Sequence, residues 1–220
     1  MPSDPEIPPA RVAQFIRQHT HDVRNGLNSL DLEGALLQEV VTDEEGRQSV
    51  DRLRRQLRRV ANELRILSAR FQDPLPHRGR LAAGEILLIW REQNASLPTP
   101  LEIGWGDQIG VAAVEVDAVM LAEIFHELLS NAAAFPATGP LAVNARRDGD
   151  RLVLELCEPK KEPVDVTGWG EIPFTTTRRG AYGLGLWSAR RLAEANEIRL
   201  ERHFSPPGSL VTRMTLAMLQ

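Results

Sequence analysis

The chain has 220 residues, of which 42% are hydrophobic and 25% are charged, so it can bury an ordinary globular core. The formal net charge of −4 provides no overall attraction to nucleic acid, and we expect none as a partner. The single cysteine, Cys157, excludes an internal disulfide framework and a multi-cysteine zinc site. No apolar run approaches the roughly 20 residues of a membrane span, and the first residues do not form a secretory signal. We therefore expect a cytoplasmic protein with no membrane attachment through this chain.

The N-terminal part of the chain is predicted to form two long helices. Pro8 and Pro9 suit the first turn of a helix, and no further proline occurs before Pro74. Between these prolines, mostly apolar residues recur at steps of three and four in two stripes, which residues 42–46 separate. The first stripe consists of Val12, Ile16, His19, Val23, Leu27, Leu30, Gly34 and Leu37, and the second of Val50, Leu53, Leu57, Val60, Leu64 and Leu67.

A single helical hairpin cannot cover both of these stripes, because each helix of the pair offers the other only one face. Pairing with a second copy, which makes a four-helix bundle, is the simplest way to bury them. We therefore predict a homodimer, with residues 9–72 as a helical hairpin that carries the dimer interface.

Residues 73–79 have the turn composition of a linker, and the pattern after them changes to mixed α and β. Helices are predicted at 81–93, at 118–134 after Asp117 as the N-cap, and at 183–195. Strands are predicted at 101–105, 111–116, 141–147, 151–158, 198–203 and 210–219, with a hairpin turn at 148–150. The long loop at 159–182 is typical of a lid or binding loop. Residues 79–220 are thus expected to form an α/β domain.

The first helix carries a candidate reactive histidine. His21 lies two positions from the stripe residues His19 and Val23, so at about 100° per residue it points away from the stripe and is exposed. Asn25 lies one turn later on the same face, and Asp22 adjoins His21 in sequence. A neighbouring carboxylate can hold the tautomer of an imidazole and raise its nucleophilicity.

Two later groups of residues suit a nucleotide. Glu127 and Asn131 lie four residues apart on one helix face, where a carboxylate and an amide oxygen can meet a hydrated Mg²⁺ and its phosphates. Gly180, Gly183 and Gly185 lie where the chain enters the last predicted helix, and glycines at a helix N-terminus let backbone N–H groups approach an anion. A glycine-rich turn without any ligand is the alternative interpretation of this second group.

Together, in this order, these elements resemble the sensor histidine kinases of two-component signalling, over nearly the whole chain after residue 10. Residues 21–25, His-Asp-Val-Arg-Asn, match the phosphoacceptor box of the histidine-phosphotransfer hairpin. Residues 127–132 match the asparagine box of the Bergerat-type ATP-binding domain, Phe174 with the following threonines resembles its lid, and residues 183–186 resemble its second glycine box. The resemblance implies an α+β fold: an antiparallel helical hairpin that pairs into a dimeric four-helix bundle, followed by an α/β two-layer sandwich of the histidine-kinase ATPase type.

The resemblance also implies roles for individual residues. His21 would be phosphorylated on an imidazole nitrogen and would pass the phosphoryl group to an aspartate of a response-regulator receiver domain. Asp22 would orient or deprotonate the ring, and Asn25 would position water or the partner's aspartate. ATP and Mg²⁺ are the implied cofactors, with Asn131 as the metal ligand. The implied nucleotide-binding residues are Glu127, Asn131, Glu158, Gly180, Gly183 and Gly185.

The sequence departs from the family after the strand that ends at Glu158. There the family has an aspartate that hydrogen-bonds the adenine amino group and then spaced glycines, whereas this chain has Glu158 followed by Pro159, Lys160 and Lys161. The lysines either replace lost backbone contacts to ATP or fill a pocket that no longer binds nucleotide. Three functions stay open: an ATP-dependent autokinase core, a histidine phosphotransferase that relays phosphate between receiver domains through His21, and a noncatalytic dimeric scaffold.

Overall fold

The computed structural model describes residues 9–135, 137–176, 182–206 and 208–219. They belong to two compact units, of which the first ends at Asp73 and the second begins at Pro74. In the part of the chain described, no helix is long and apolar enough to cross a membrane.

The first unit consists of two helices, α1 (Pro9–Val40) and α2 (Glu44–Arg70), which pack on each other as the predicted hairpin. Asp43 is the N-cap of α2, because its carboxylate accepts a hydrogen bond from the Gly46 backbone N–H at 2.6 Å. Two glutamates in the first turn add a favourable interaction with the helix dipole. The cap and these glutamates therefore stabilise the start of α2 directly after the turn.

A glycine contact and an ion pair join the two helices. Gly34 is buried, and its backbone approaches Arg54 so closely that a Cβ atom there would lie 2.9 Å from the Arg54 Cγ atom. Arg54 donates to Asp31 at 2.9 Å, and Arg58 donates to the other oxygen of the same carboxylate at 3.3 Å. The hydrogen bond from Arg54 is the largest of the effects that hold the pKa of Asp31 below its ordinary value. These contacts fix the register of the hairpin.

The two predicted stripes are only partly covered within one chain. Leu57 and Leu64 of α2 are half-buried and face α1. Other stripe residues are far more exposed: Leu30 by 49%, Leu37 by 50%, Leu53 by 48% and Val60 by 42%. A single hairpin thus leaves an apolar band along its side.

The second unit contains three helices and seven strands among the described residues. In chain order they are β1 (Gly79–Ala82), α3 (Ala83–Ala95), β2 (Ile103–Gln108), β3 (Ala113–Val116), α4 (Ala118–Ala134), β4 (Leu141–Asp148), β5 (Arg151–Pro159), α5 (Gly185–Ala195), β6 (Arg199–Ser205) and β7 (Ser209–Ala217). Five strands form one sheet in the order β2-β4-β5-β7-β6, in which only β2 and β4 are parallel. The other two strands, β1 and β3, form a small antiparallel pair.

The helices of the second unit cover one face of the five-stranded sheet. Trp90 of α3 stacks on Phe125 of α4 with ring centroids 4.3 Å apart, and both side chains are fully buried. They share one core with inward residues of the sheet such as Leu154, Leu156 and Met214. The predicted fold class, a helical hairpin followed by an α/β two-layer sandwich, is confirmed.

Among the element boundaries that differ from the prediction, two are explained by hydrogen bonds to a side chain. A helix was expected from residue 81, but residues 79–82 form β1, and the Ala82 N–H donates to Glu85 at 2.8 Å, so that the helix begins at Ala83. The strand expected at 101–105 lies at 103–108 instead. Asn94 holds both backbone groups of Leu101 at 3.0 Å and so keeps that residue out of the sheet.

Asp117 connects three parts of the second unit, and it is the predicted N-cap of α4. Its Oδ1 accepts from the backbone N–H groups of Val119 at 2.9 Å and Met120 at 3.0 Å, and its Oδ2 accepts from that of His77 at 2.7 Å. Its own N–H donates to Asn196 at 2.8 Å. Burial raises the pKa of Asp117, but the hydrogen bonds from Met120, His77 and Val119 outweigh it, so that the net pKa is lowered.

We expect Asp117→Asn to destabilise the second unit by about 2 kcal/mol at neutral pH, because an amide cannot accept all three bonds. A lowered folded-state pKa stabilises the fold above the unfolded value of about 3.9, and this contribution is lost as the pH falls through the folded value. The wild type should therefore lose stability below about pH 4, and the variant should lose less. Urea unfolding followed by tryptophan fluorescence reports on this unit alone, since all 4 tryptophans lie in it. Parallel pH dependences in the two proteins would contradict the prediction.

Candidate functional site

His21 lies on the exposed side of α1, with a side chain that is 56% exposed. Its Nδ1 atom lies 3.3 Å from Oδ1 of Asp22 and 3.4 Å from Nδ2 of Asn25. The helix brings these groups together because Asn25 is one turn beyond His21 and Asp22 adjoins it. All three residues predicted for this site therefore meet at one imidazole nitrogen.

The two contacts at Nδ1 belong to different tautomers. A protonated Nδ1 donates to the Asp22 carboxylate, whereas an unprotonated Nδ1 accepts from the Asn25 amide. The hydrogen bond with His21, followed by the one from Gln18, holds the pKa of Asp22 below its ordinary value. The carboxylate is therefore charged at neutral pH and favours the proton on Nδ1, which leaves the lone pair on Nε2.

A cavity of about 190 Å³ lies beside the imidazole, between α1 and α2. It is lined by His21 together with Arg17, Thr20, Arg24, Leu64, Ser68 and Gln72. Arg17 is anchored because its Nη1 donates to the Phe71 carbonyl at 2.9 Å. Arg17 and Arg24 belong to this lining and, among the described residues, no Asp or Glu does, so the cavity suits an anion such as phosphate.

The second unit brings the predicted asparagine box and second glycine box together. Glu127 and Asn131 are half-buried on α4, one helical turn apart. The backbone at Gly185, the first residue of α5, lies against Glu127, and a Cβ atom at position 185 would force that carboxylate to move. Glu127 and Gly185, more than fifty positions apart in sequence, thus lie next to each other where α4 meets the start of α5.

Gly183 fixes the loop that precedes α5. Its φ is +66°, and a Cβ atom there would lie 2.7 Å from the backbone of Thr175, so only glycine fits. Phe174, which was predicted to belong to a lid, also has a positive φ and is 45% exposed. Gly180, the remaining glycine of the predicted site, lies outside the described residues.

Glu158 is buried at the end of β5, with only 1% of its surface exposed. Arg202 of β6 donates from Nη2 to Oε1 of Glu158 at 2.7 Å, and the Lys160 ammonium lies 3.1 Å from Oε2. Lys160 also donates to the carbonyl of Phe135, just after α4, at 2.6 Å. Cations thus engage both oxygens of the carboxylate. Of the two lysines, Lys160 thus lies against Glu158, while Lys161 is exposed.

The Arg202 guanidinium lies over the ring of Trp169, with 4.7 Å between its central carbon and the ring centroid. Burial lowers the pKa of Arg202, and the Glu158 carboxylate acts in the opposite direction. Of the five buried side-chain polar atoms without a hydrogen-bond partner among the described residues, three lie here: Nε of Arg202, Nε1 of Trp169 and Oγ1 of Thr212. Thr212 is the cross-strand neighbour of Arg202. We refer to Glu158, Lys160, Trp169, Arg202 and Thr212 as the Glu158 cluster.

Sequence reasoning identified Glu158 but missed Arg202 and Trp169. In β6 the residues Leu200, Arg202 and Phe204 alternate toward the inner face of the sheet, where an arginine requires a buried acidic partner. That alternation was the available signal for Arg202. Trp169 lies in a loop without periodicity, so no local pattern marks it.

The two sides of the implied nucleotide site differ in how they fit ATP. Gly183 and Gly185 allow the close backbone approach that phosphates require. On the other side, a cation lies against each oxygen of Glu158 and the carboxylate is only 2% exposed, so a base cannot reach it. In this arrangement the residues fit the phosphates of a nucleotide and do not fit its base.

The hairpin and the two-layer unit together give the chain the fold of a sensor histidine kinase core. The crystal structure of full-length ShkA in complex with AMPPNP matches 94% of this chain with a TM-score of 0.60 and 17% identity. The catalytic domain of the histidine kinase ThkA matches 64% of the chain with a TM-score of 0.50 and 15% identity, and the match covers 95% of that domain.

One curated protein shows similarity at the level of sequence. The sensor protein BceS of Halalkalibacterium halodurans is 33% identical over 98 residues, which are 42% of this chain and 29% of BceS. No protein-family model matches the sequence. The chain spans 46% of ShkA, so it corresponds to less than half of that relative and to under a third of BceS.

Proposed function

We propose that this protein is a phosphotransfer protein of two-component signalling, phosphorylated on Nε2 of His21 and passing the phosphoryl group to an aspartate of a response-regulator receiver domain. The observation that carries the proposal is the exposed imidazole whose Nδ1 is engaged by Asp22 and Asn25. The histidine-kinase fold supports it, because the hairpin of that fold is where the resemblance locates the phosphoacceptor.

The chemistry follows from the tautomer that Asp22 favours. The Nε2 lone pair attacks the phosphorus of an aspartyl phosphate, the P–N bond forms, and the bond to the carboxylate oxygen breaks. The positive charge on the ring is stabilised by the hydrogen bond from Nδ1–H to Asp22. The reverse attack by an aspartate carboxylate discharges the histidine. Arg17 and Arg24 neutralise the phosphoryl oxygens in the cavity beside the ring.

The Glu158 cluster favours a receiver domain as the phosphoryl donor. A carboxylate that is 2% exposed and covered by Arg202 and Lys160 leaves no room for an adenine amino group. The protein would then be a histidine phosphotransferase that relays phosphate between receiver domains.

The second candidate is an autokinase with ATP and Mg²⁺ as cofactors. The contact between Glu127 and Gly185, with Asn131 one turn away, favours it, because these residues are proposed to hold the phosphates and the metal. The complex of ShkA with AMPPNP supports the same candidate. Both candidates make His21 the central residue and a homodimer the working form.

The deciding experiment offers the purified protein two donors in parallel. One sample receives ATP with Mg²⁺, and a set of samples receives phosphorylated receiver domains from the same genome. We expect acid-labile phosphate on His21, mapped by mass spectrometry at neutral or alkaline pH, from at least one receiver domain. Labelling from ATP alone would establish the autokinase instead. Absence of labelling from every donor would overturn the proposal and leave the scaffold.

A further inference from the structure

The Arg202 side chain presents to Glu158 what a nucleobase would present. A guanidinium group is planar and donates hydrogen bonds in its own plane, as an adenine amino group does. Arg202 makes such a bond to the carboxylate at 2.7 Å, and its central carbon lies over the Trp169 ring, 4.7 Å from the ring centroid. Its side chain is only 6% exposed, so it fills this position.

We propose that the Arg202 guanidinium occupies the place of the nucleotide base in this domain, so that an adenine nucleotide binds only when Arg202 leaves Glu158. The inference rests on the proposed assignment of Glu158 as the carboxylate that recognises the base. Arg202 is then a built-in competitor of the nucleotide, and it sets how far the domain uses ATP.

The internal occupant is an imperfect one, which makes it exchangeable. Arg202 uses Nη2 for Glu158 but leaves its Nε unpartnered, and Trp169 Nε1 and Thr212 Oγ1 also lack partners among the described residues. Buried polar atoms without hydrogen bonds are unfavourable, because they have given up water without gaining a partner. A ligand that satisfied some of these atoms would recover part of the energy lost when the ion pair opens.

Lys160 would remain at Glu158 when Arg202 moves away. Its ammonium is anchored at its second contact, the Phe135 carbonyl at 2.6 Å. The carboxylate would therefore stay charged and paired on Oε2, while Oε1 became free to accept from a base. This division explains why the exchange involves Arg202 and not both cations.

The test compares the full-length wild type with Arg202→Met, which keeps the length of the side chain and removes its charge and donors. The matched control is Arg199→Met on the same strand, where the arginine is exposed and pairs with Glu201 at 2.7 Å. Calorimetric titration with ATP and Mg²⁺ measures the affinity. We expect Arg202→Met to bind at least about tenfold more tightly than the wild type, and the control to stay within about twofold.

Two further variants keep the test decisive. Arg202→Lys retains a cation beside Glu158 but lacks the plane that stacks on Trp169, so it should also gain affinity, by about threefold or more. Arg202→Met combined with Glu158→Gln should lose most of the gain, because an amide oxygen is a weaker acceptor than a carboxylate. Circular dichroism establishes that each variant is folded. Equal ATP affinity in the wild type and the folded Arg202 variants would overturn the proposal.

Phosphorylation of His21 by a receiver domain, measured on the same samples, separates this inference from the proposed function. Labelling of His21 with unchanged ATP affinities would refute the role of Arg202 and leave the phosphotransfer function standing. Loss of all labelling in the wild type would refute the phosphotransfer function, whatever the nucleotide affinities are.

Discussion

Replacing His21 with alanine is expected to reduce phosphoryl acceptance to background with every donor that labels the wild type. The substitution removes the attacking Nε2 atom, and neither Asp22 nor Asn25 can replace it as a nitrogen nucleophile. Because the imidazole is 56% exposed, the hairpin should keep its stability within about 0.5 kcal/mol. Acid-labile phosphate and thermal unfolding are measured on the same preparation.

His19→Ala is the matched control for this substitution. His19 is on the same helix, is exposed, and stacks on Phe15 with ring centroids 5.6 Å apart. Asp22 and Asn25 meet at Nδ1 of His21, so His19 is not part of that arrangement and the variant should be labelled like the wild type. Equal loss of labelling in the two variants, or full labelling of His21→Ala, would exclude His21 as the acceptor.

Asp22→Asn tests the tautomer argument separately from the nucleophile. An asparagine at 22 no longer requires a proton on Nδ1, so Nε2 carries the lone pair in fewer molecules. We expect the labelling rate to fall by about tenfold, the lower end of such effects because the site is exposed. A rate equal to that of the wild type would mean that the Asp22 contact has no chemical role.

Much of the fold could be predicted because it follows from local patterns. The capping carboxylate at Asp117 and the hairpin turn around Gly149 were found where the sequence indicated them. Boundaries that depend on distant partners were not predictable. Leu101 is kept out of β2 by a side chain on α3, and β1 exists because β3 pairs with it.

The candidate sites divide in the same way. His21, Asp22 and Asn25 are neighbours on one helix, so helical geometry alone places them together. The occupation of Glu158 depends on a partner 44 positions away on another strand and on a loop tryptophan. No spacing rule covers such a contact. The sequence revealed that the pocket departs from the family, and only the structure identifies the group that fills it.

A charge at the apolar band of the hairpin is expected to dissociate the proposed dimer. Four stripe residues stay 42–50% exposed in one chain: Leu53 and Val60 of α2, and Leu30 and Leu37 of α1. A second copy of this chain can bury them, because the same apolar band on two copies forms a self-complementary interface. Leu53→Glu would bury a carboxylate at this interface in each subunit.

The expected effect of Leu53→Glu is a rise in the dissociation constant of at least about a hundredfold, because an unpaired buried charge costs several kcal/mol. Asn62→Glu is the matched control: it adds the same charge to α2, but at about 100° per residue it lies on the side opposite Leu53. Sedimentation velocity over a range of concentrations gives both constants. If Leu53→Glu and Asn62→Glu associate equally well, the band does not form the interface, and the hairpin must be covered by a different partner. If only Leu53→Glu becomes a monomer, with its helix content unchanged, the apolar band that one chain leaves exposed is the dimer interface.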